Sequence, residues 1–261
     1  MAIVKINGAQ LDVELLGSGP ELVVLHSLLT DRSAFDRVKG ELAAAHRRVC
    51  LVNLPGYGAS SPVGSTIEGY ADHIAGLFTA LQLSPRAAVL GNGFGGFIAL
   101  ALAARHGARF DRLIVADSVA TFPPPAKEPF RILHAKVSEH GMSAVLDAAV
   151  RRMFPQAFIL DHPKIVAERK AALAQADPQC FARACLALAE VDLRAAVGAI
   201  RNPALVMAGS LDQTTPPALV RELAEAMPGA RFHEIPGSGH CPQIEKPAEF
   251  VAAVRAFLAA P

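Results

Sequence analysis

The stretch Val89-Leu90-Gly91-Asn92-Gly93-Phe94-Gly95-Gly96 decides the fold of this chain. Its first residues are apolar and predict a strand, which passes through a glycine-rich turn directly into a helix over residues 95–106. Gly107 follows this run as a stop signal for the helix. The segment Phe97–Ala104 has almost no polar position, so we expect the central helix of the fold, buried against a sheet.

The glycine-rich turn has the outline of a nucleophile elbow, the motif G-x-S-x-G between a strand and a helix. Gly93 stands where that motif carries serine. Gly91, Gly93 and Gly96 also fit the pattern G-x-G-x-x-G of dinucleotide-binding loops. However, several strands precede this turn, and no acidic residue ends the next strand at the distance that binds a ribose. We therefore favour the elbow over a nucleotide site.

Eight short apolar segments, each bounded by turn signals, predict eight strands. They are Ile3–Ile6, Leu11–Leu16, Leu22–Leu25, Arg48–Val52, Ala87–Leu90, Leu113–Ala116, Ala204–Ala208 and Arg231–Ile235. The residues Asn7-Gly8-Ala9-Gln10 between the first two are a hairpin signal. The later strands are separated by helical patterns, which indicate parallel strands joined by crossover helices. The sequence predicts an α/β fold with an eight-stranded, mostly parallel sheet that is flanked by helices and mixed at one edge.

Several helix boundaries are marked by capping signals. Ser65 with Glu68 three residues later forms a capping-box pattern before a helix over Ile67–Leu81. In the later part of the chain, His162-Pro163 and Asp177-Pro178 are helix starts, and Gly141 is a stop signal.

A helical insertion interrupts the alternation of strands and helices. It begins at Phe122-Pro123-Pro124-Pro125 and extends to about Val191, with no strand pattern between. Helices inserted between two strands of such a sheet are typical of a cap over the strand ends. We predict a core of residues 1–120 and 193–261 and a helical lid of residues 121–192.

The composition is that of a globular protein. Its 261 residues are 52% hydrophobic and 19% charged, enough for one large α/β domain or two small ones and far too apolar for disorder. The 25 basic and 24 acidic side chains leave a net charge of +1, so no overall field attracts nucleic acid or an anionic membrane. We expect a small-molecule substrate as the partner, and the composition leaves the oligomeric state open.

Neither export nor membrane insertion is expected. Residues Met1–Gly8 contain no basic region followed by a long apolar run, and Phe97–Ala104 is too short to cross a bilayer. The cysteines form no Cys-x-x-Cys pair, and no histidine on the predicted helices lies in a carboxylate cluster at metal spacing. These patterns predict a cytoplasmic protein that needs neither a metal nor a cofactor. Its thiols are expected to be reduced at Cys50, Cys180, Cys185 and Cys241.

Asp212 and His240 supply the further groups that a hydrolytic site would need. Asp212 lies just past the predicted strand Ala204–Ala208, and His240 follows the last strand. The order of elbow, acid and histidine is that of the α/β-hydrolase triad, and the chain resembles this superfamily over essentially its whole length. His26-Ser27-Leu28-Leu29 resembles the oxyanion loop of the superfamily, and Asn53–Ser60 resembles its loop after the fourth strand.

Within the superfamily, two subgroups are suggested. The stretch His26–Asp31 is similar to 3-oxoadipate enol-lactonases and related esterases. Gly91-Asn92-x-Phe94-Gly95-Gly96 is similar to the elbow of hydrolases that cleave carbon–carbon bonds in meta-cleavage products. Those enzymes usually carry tryptophan after the catalytic histidine, whereas this chain has Cys241 there and no tryptophan. The resemblance therefore implies a small ester or lactone substrate, with carbon–carbon cleavage as the alternative.

The resemblance also implies a role for each candidate residue. His240 would be the general base, and Asp212 would be the acid that orients it. The backbone N–H groups of Leu28 and Phe94 would hold the oxyanion. Ser27 would contact the substrate or simply complete a turn.

Gly93 breaks the pattern at its centre. Glycine has no side-chain oxygen and forms no acyl-enzyme, so we expect the chain to be nearly inactive as a serine hydrolase. We favour a deliberate Ser→Gly replacement at this position. The alternative is a natural member of the fold that became a ligand-binding protein, a lyase or another non-covalent catalyst. We also expect glycine to relax the strain of the elbow and to open space for a bound ester.

Other features have alternative interpretations. Asp117, at the end of its strand, would replace Asp212 as the triad acid, or Asp212 would cap the helix that follows it. Cys241 is expected in the core and not as a nucleophile, because adjacent side chains rarely meet. Arg151-Arg152 and Arg183 either bind a substrate carboxylate or belong to a solvated helix face.

Overall fold

An eight-stranded sheet forms the centre of the protein. The computed structural model, which describes residues 2–45 and 47–260, orders the strands β1-β2-β4-β3-β5-β6-β7-β8. Their bounds are Ala2–Ile6 (β1), Ala9–Gly17 (β2), Glu21–Leu25 (β3), Arg48–Val52 (β4), Ala88–Asn92 (β5), Arg112–Ala116 (β6), Ala204–Gly209 (β7) and Arg231–Ile235 (β8). Strand β2 is antiparallel to β1 and to β4, and all other neighbours are parallel. The predicted fold class, with a mostly parallel sheet that is mixed at one edge, is confirmed.

The parallel strands bring the loops that follow them to one edge of the sheet. Leu25 of β3 pairs with Gly91 of β5, and Gly91 pairs with Val115 of β6. Because neighbouring parallel strands end at similar heights, the loops after β3, β5, β6, β7 and β8 begin side by side. This edge is where open α/β sheets bind their ligands.

Helices flank the sheet. Within the described residues they are Lys39–Ala44 (α1), Ile67–Ala80 (α2), Phe94–His106 (α3), Pro124–His140 (α4), Leu146–Met153 (α5), Gln156–Asp161 (α6), Pro163–Leu173 (α7), Pro178–Glu190 (α8), Arg194–Val197 (α9), Pro217–Ala226 (α10), Pro242–Glu245 (α11) and Pro247–Ala259 (α12). None of these described helices has both the length and the apolar composition that crossing a bilayer requires.

Helix α2 begins at Ile67 as the sequence predicts, but the predicted capping residue is wrong. Thr66, and not Ser65, caps α2: its side chain accepts the N–H of Gly69 at 3.1 Å. The backbone of Thr66 is extended, so Ser65 lies outside the first turn and its hydroxyl is out of register with the free N–H groups. The other starts, at Pro163 and Pro178, lie where the sequence predicts them.

Helix α3 is the central helix. All residues from Phe94 to Ala103 are buried, because one face packs on β3, β5 and β6 and another packs on α2. The helix ends before Gly107, as the sequence predicts.

The chain between β6 and β7 contains the helices α4 to α9. Helices α4 and α8 pack on each other, and an isolated bridge between Thr121 and Asp192 joins the two ends of the inserted segment. The segment also bonds to loops at the ligand-binding edge: the N–H of Asp177 donates to the carbonyl of Gly56 at 2.9 Å. A separate lid over residues 121–192 stays a prediction, although the helices lie where such a lid would be.

Candidate active site

The turn between β5 and α3 keeps the geometry of a nucleophile elbow. Gly93 has φ +53° and ψ −118°, a left-handed conformation that costs residues other than glycine about 1–3 kcal/mol. A β-carbon at Gly91 would overlap the carbonyl oxygen of Gly95, so strand and helix meet too closely there for any side chain. The hydroxyl of Ser118, which follows β6, donates to the carbonyl of Gly93 at 2.7 Å and holds the turn in place.

The side-chain space at residue 93 is filled by the neighbouring loop. A β-carbon on Gly93 would overlap the hydroxyl oxygen of Ser27 and lie 3.0 Å from Cβ of Ser27. It would also lie 2.8 Å from Nε2 of His240. The expectation of open space for an ester beside Gly93 is therefore wrong, because the side chain of Ser27 lies over the glycine. Ser27 and His240 both border the position that a serine side chain would take.

His240 and Asp212 form a buried hydrogen-bonded pair. Nδ1 of His240 lies 2.7 Å from Oδ2 of Asp212. Burial raises the pKa of Asp212, but the charge of His240 and the hydrogen bonds from His240 and Thr215 outweigh it, so the pKa lies below its usual value. An ionised Asp212 holds the proton of the imidazole on Nδ1. Nε2 is then the basic atom, and it faces the side-chain space at residue 93.

Asp212 does not cap the helix that follows it. Its Oδ1 accepts the N–H groups of Thr214 at 2.7 Å and of Thr215 at 3.2 Å. Helix α10 begins after Pro216 without a side-chain cap. The capping interpretation is wrong, because the tight turn of residues 212–215 points the carboxylate at His240 and away from α10.

Asp117 lies beside this pair but makes other hydrogen bonds. Its carboxyl group accepts the N–H of Gly209 at 2.8 Å and the side-chain amide of Asn92 at 3.2 Å. Complete burial raises the pKa of Asp117 well above its usual value, and the charge of Asp212 raises it further. Burial therefore favours the protonated form of Asp117, and the geometry favours Asp212 as the partner of His240.

The same three side chains meet the distance requirement for a metal site. One ligand atom from each of Asp117, Asp212 and His240 lies within 4.8 Å of the others. The 2.7 Å contact of Nδ1 with Asp212, however, places a proton between two of the three would-be ligands. The donor set fits a proton-sharing pair better than a cation site.

Two backbone N–H groups are placed to bind an oxyanion. They belong to Leu28 and Phe94, which line one cavity together with Gly93. Neither group donates to an acceptor within residues 2–45 or 47–260. Helix α3 begins at Phe94, so the positive end of its dipole adds to the favourable field.

His26 holds the loop that carries Ser27 and Leu28. Nδ1 of His26 donates to the carbonyl oxygen of Ser27 at 2.8 Å, and Nε2 accepts the N–H of Leu54 at 2.9 Å. Burial lowers the pKa of His26 to about 4, so the ring stays neutral and makes both bonds. Tyr57 lies in the loop after β4, and its hydroxyl donates to the carbonyl oxygen of Leu28. These contacts fix the direction of the Leu28 N–H group.

Three polar side chains that the sequence analysis did not single out position His240. The amide of Asn92 donates to the carbonyl oxygen of His240 at 3.1 Å, and the amide of Gln243 donates to Oδ1 of Asn92 at 3.1 Å. The carboxylate of Glu245 accepts the N–H groups of the residues before and after His240, at 2.8 and 3.0 Å. Asn92 was visible as a member of the elbow motif. Gln243 and Glu245 lie in no motif, so no signal marked them.

Cys241 is not a substitute nucleophile. All four cysteines are free and buried. Burial raises the pKa of the Cys241 thiol well above its usual value, and nearby carboxylates raise it further. The thiol therefore stays protonated in the core.

Glu245 makes the stability of the His240 loop dependent on pH. Burial raises the pKa of Glu245 from 4.5 to about 7. A raised carboxyl pKa means that the folded state binds this proton more tightly than the unfolded state, so stability falls as pH rises from about 4.5 to 7. We expect Glu245→Gln to flatten this part of the pH dependence of Tm, and Glu225→Gln, at an exposed site, to leave it unchanged. Equal slopes for Glu245→Gln and the unchanged protein in thermal unfolding would contradict this role.

Two adjoining cavities lead to Gly93. The inner cavity has a volume of about 20 Å³, the space of one water molecule, and its walls around Gly93 are mainly apolar. The outer cavity has a volume of about 190 Å³ and lies between residues 151–156 of the insertion and the loop of residues 211–213. Arg152 and His240 line both cavities.

Arg152 places a cation at the junction of the two cavities. Its guanidinium carbon lies 5.0 Å from the ring centre of Phe130. Burial lowers its pKa from the usual arginine value, which is high enough that the group remains charged. No described residue accepts a hydrogen bond from this guanidinium group. Arg183 lines neither cavity and contacts Cys180 instead.

Comparison with known proteins agrees with this geometry. The sequence model of the Alpha/beta hydrolase family matches residues 22–254. The chain is 34% identical over 256 residues to the pimeloyl-[acyl-carrier protein] methyl ester esterase of Chromobacterium violaceum, covering 94% of this chain and 97% of the relative. It is 31% identical over 241 residues to 3-oxoadipate enol-lactonase 2 of Acinetobacter baylyi, covering 92% of this chain and 88% of the relative.

A solved structure supports the same assignment. The enol-lactonase from Burkholderia xenovorans LB400 has a TM-score of 0.92 to this chain at 31% identity. The superposition covers 99% of this chain and 100% of that structure. The predicted resemblance is confirmed at the level of the superfamily, and the chain belongs to the alpha/beta hydrolase family.

Proposed function

We propose that the site is that of a cofactor-free hydrolase of small esters or lactones, present in this chain with glycine at the nucleophile position. The observation that carries the proposal is the contact of Asp212 with Nδ1 of His240, which leaves Nε2 facing the side-chain space at residue 93. The named relatives include a methyl ester esterase and an enol-lactonase, and both act on acyl–oxygen bonds.

In the serine form, the steps follow from the positions of these groups. The hydroxyl at residue 93 attacks the acyl carbon while Nε2 of His240 takes its proton, and Asp212 stabilises the imidazolium. The N–H groups of Leu28 and Phe94 hold the negative oxygen of the tetrahedral intermediate. His240 then returns the proton to the leaving alkoxide, and a water molecule releases the acyl group by the reverse sequence. Glycine at residue 93 removes the attacking oxygen and leaves the other groups in place.

The insertion of residues 121–192 is proposed as the lid of this site. Its side chains, including Phe122, Phe130 and Leu188, supply the apolar wall of the inner cavity. The carbonyl oxygen of Met153 also accepts the N–H of His240 at 3.0 Å, so the insertion contacts the base directly. Most of a bound substrate would lie in the outer cavity, because the inner cavity has room for only about one water molecule.

The test of this function is a side-by-side assay of the unchanged protein and a variant with serine at residue 93. The panel contains short p-nitrophenyl esters, lactones and a meta-cleavage dienoate. A large gain in ester or lactone turnover when serine is present at residue 93 supports the proposal. Turnover of the dienoate alone would assign carbon–carbon hydrolysis instead, and no turnover by either protein would favour a ligand-binding or lyase member of the fold.

Arg152 is expected to select substrates that carry a carboxylate. Arg152 is half-buried and has no protein acceptor, so an anion that enters the outer cavity gains a charge-assisted hydrogen bond, worth about 1.5–3 kcal/mol. We expect Arg152→Gln to weaken binding of monomethyl glutarate, an anionic ester, by about 10- to 100-fold. Binding of the neutral dimethyl glutarate is expected to change little.

Calorimetric titration of the unchanged protein measures these affinities, because glycine at residue 93 slows turnover of the ligand. Arg131→Gln is the matched control, since Arg131 is exposed on α4 and pairs with Glu128 at 3.5 Å. Equal losses for the anionic and the neutral ester in Arg152→Gln would show that Arg152 shapes the cavity without recognising charge.

A further inference from the structure

We propose that Ser27 supplies the nucleophilic hydroxyl of this chain in place of the missing serine at residue 93. The inference rests on the proposed acyl-transfer function and goes beyond it, because it assigns a new catalytic residue to the oxyanion loop. Three observations carry it: the position of the Ser27 side chain, the lack of any hydrogen bond to its hydroxyl, and its relation to the oxyanion donors.

The first observation is the position of Ser27. An ideal β-carbon on Gly93 would overlap the hydroxyl oxygen of Ser27 and would lie 2.8 Å from Nε2 of His240. The hydroxyl and the basic nitrogen therefore border one small volume. A serine at residue 93 would present its own oxygen to His240 in that volume.

The second observation is that the hydroxyl of Ser27 is not used by the fold. Ser27 is only 2% exposed, yet its hydroxyl makes no hydrogen bond to any residue in the described part of the chain. Its carbonyl oxygen, by contrast, accepts from Nδ1 of His26 at 2.8 Å and from both the N–H and the hydroxyl of Thr30 at 3.2 Å. The backbone is held on one side while the hydroxyl stays available on the other. Ser27 lines the inner cavity beside Gly93, so this free hydroxyl is available to a ligand there.

The third observation concerns the oxyanion donors. In an elbow, the N–H of the residue after the nucleophile helps to hold the oxyanion, and at Gly93 this residue is Phe94. Ser27 has the same relation to Leu28, whose N–H is the second donor of the pair. An acyl carbon attacked by Ser27 can therefore direct its oxygen to the same two N–H groups.

The proposed reaction needs no further reagent. The oxygen of Ser27 forms a bond to the acyl carbon while its proton passes to Nε2 of His240. The bond from the acyl carbon to the leaving oxygen then breaks, and His240 gives its proton to that oxygen. Water attacks the acyl-Ser27 ester, passing one proton through His240 to the Ser27 oxygen, and the free acid is released.

This nucleophile is expected to be slow. The hydroxyl lies on a loop that also has to supply the Leu28 donor, so it can adopt fewer attack angles than a serine at the elbow. The unchanged chain is therefore expected to react with activated acyl and phosphoryl compounds and to turn over only weakly with ordinary esters.

Covalent labelling tests the assignment. The unchanged protein is incubated with diethyl p-nitrophenyl phosphate, and the release of p-nitrophenol is followed together with the intact mass. We expect one diethylphosphoryl group per chain. The tryptic peptide of residues 6–32 contains Ser18 and Ser27, so fragmentation of the labelled peptide identifies the modified residue.

Two variants and one control complete the experiment. Ser27→Ala and His240→Asn are each expected to slow labelling by at least about 100-fold, since one removes the nucleophile and the other its base. Ser33→Ala is the control, because its hydroxyl contacts Asp31 and Arg169 and lies outside both cavities. Thermal unfolding shows whether each variant remains folded.

The outcomes separate this inference from the proposed function. Labelling at Ser27 that requires His240 supports the inference. Labelling at another residue, no labelling, or ester turnover that survives Ser27→Ala would overturn it, and surviving turnover would indicate a water molecule activated by His240. A variant with serine at residue 93 and glycine at residue 27 tests the proposed function alone, because its activity does not depend on Ser27.

Discussion

The double variant Gly93→Ser with Ser27→Gly is expected to raise kcat/KM for small esters or lactones by about 1,000-fold or more over the unchanged chain. Loss of the nucleophile in a serine hydrolase costs up to about 10⁶ in kcat, so restoring it recovers a large part of that factor. The elbow already has the backbone angles that a nucleophile takes, and His240 and the two N–H donors already surround it.

The second change in this variant makes room for the first. A β-carbon at residue 93 overlaps the Ser27 hydroxyl, so Gly93→Ser alone has to rotate the Ser27 side chain and shift His240 slightly. We therefore expect the single variant to be less active than the double variant. Both variants are expected to have a free energy of unfolding lower by on the order of 1–3 kcal/mol, because serine is strained at φ +53° and glycine is not.

Gly93→Ala with Ser27→Gly is the matched control. It carries the same β-carbon and the same strain but no hydroxyl, so a gain in activity that it shares would not come from a nucleophile. Initial rates on the ester and lactone panel and thermal unfolding of all variants provide the measurements. A folded double variant with no activity on any substrate would contradict the hydrolase proposal.

In the background of that double variant, Asp212→Asn is expected to lower kcat by about 10⁴-fold. The asparagine amide occupies the same space but cannot stabilise the imidazolium, and it favours the tautomer of His240 with its proton on Nε2. The hydrogen bond of 2.7 Å between Nδ1 and Oδ2 is the geometric reason for choosing Asp212.

Asp117→Asn is the matched control for this prediction. Burial raises the pKa of Asp117 well above its usual value and so favours the uncharged acid, which asparagine imitates. We expect its activity to stay within about tenfold of the background, a small effect beside the loss of a triad acid. A large loss in Asp117→Asn with a small loss in Asp212→Asn would reverse the assignment.

Much of the fold was predictable because its signals are local. Hairpin residues such as Asn7-Gly8, helix stops such as Gly141 and the apolar run of α3 each act over a few positions of the chain. Such patterns do not always identify a single residue. The start of α2 at Ile67 was predicted correctly, but its cap was assigned to Ser65 instead of Thr66, because both side chains suit a cap and only the backbone direction decides between them.

The candidate site was predictable in its members but not in its contacts. Gly93, Asp212 and His240 were found by their order and by their places after strands. The carboxylate of Glu245 accepts hydrogen bonds from the residues before and after His240, and the amide of Gln243 donates to Asn92. These contacts belong to no sequence motif, so only the folded chain reveals them.

The sequence by itself determined the sheet, the elbow and which titratable residues, Asp212 and His240, are candidates for the site, because periodicity and motif order are properties of the chain. Only the tertiary structure decided that Asp212 pairs with His240, that Arg152 faces the cavities and that Ser27 takes the place of a side chain at Gly93. These facts depend on which side chains meet when separate loops converge on one edge of the sheet, and the packing of the whole domain sets that meeting.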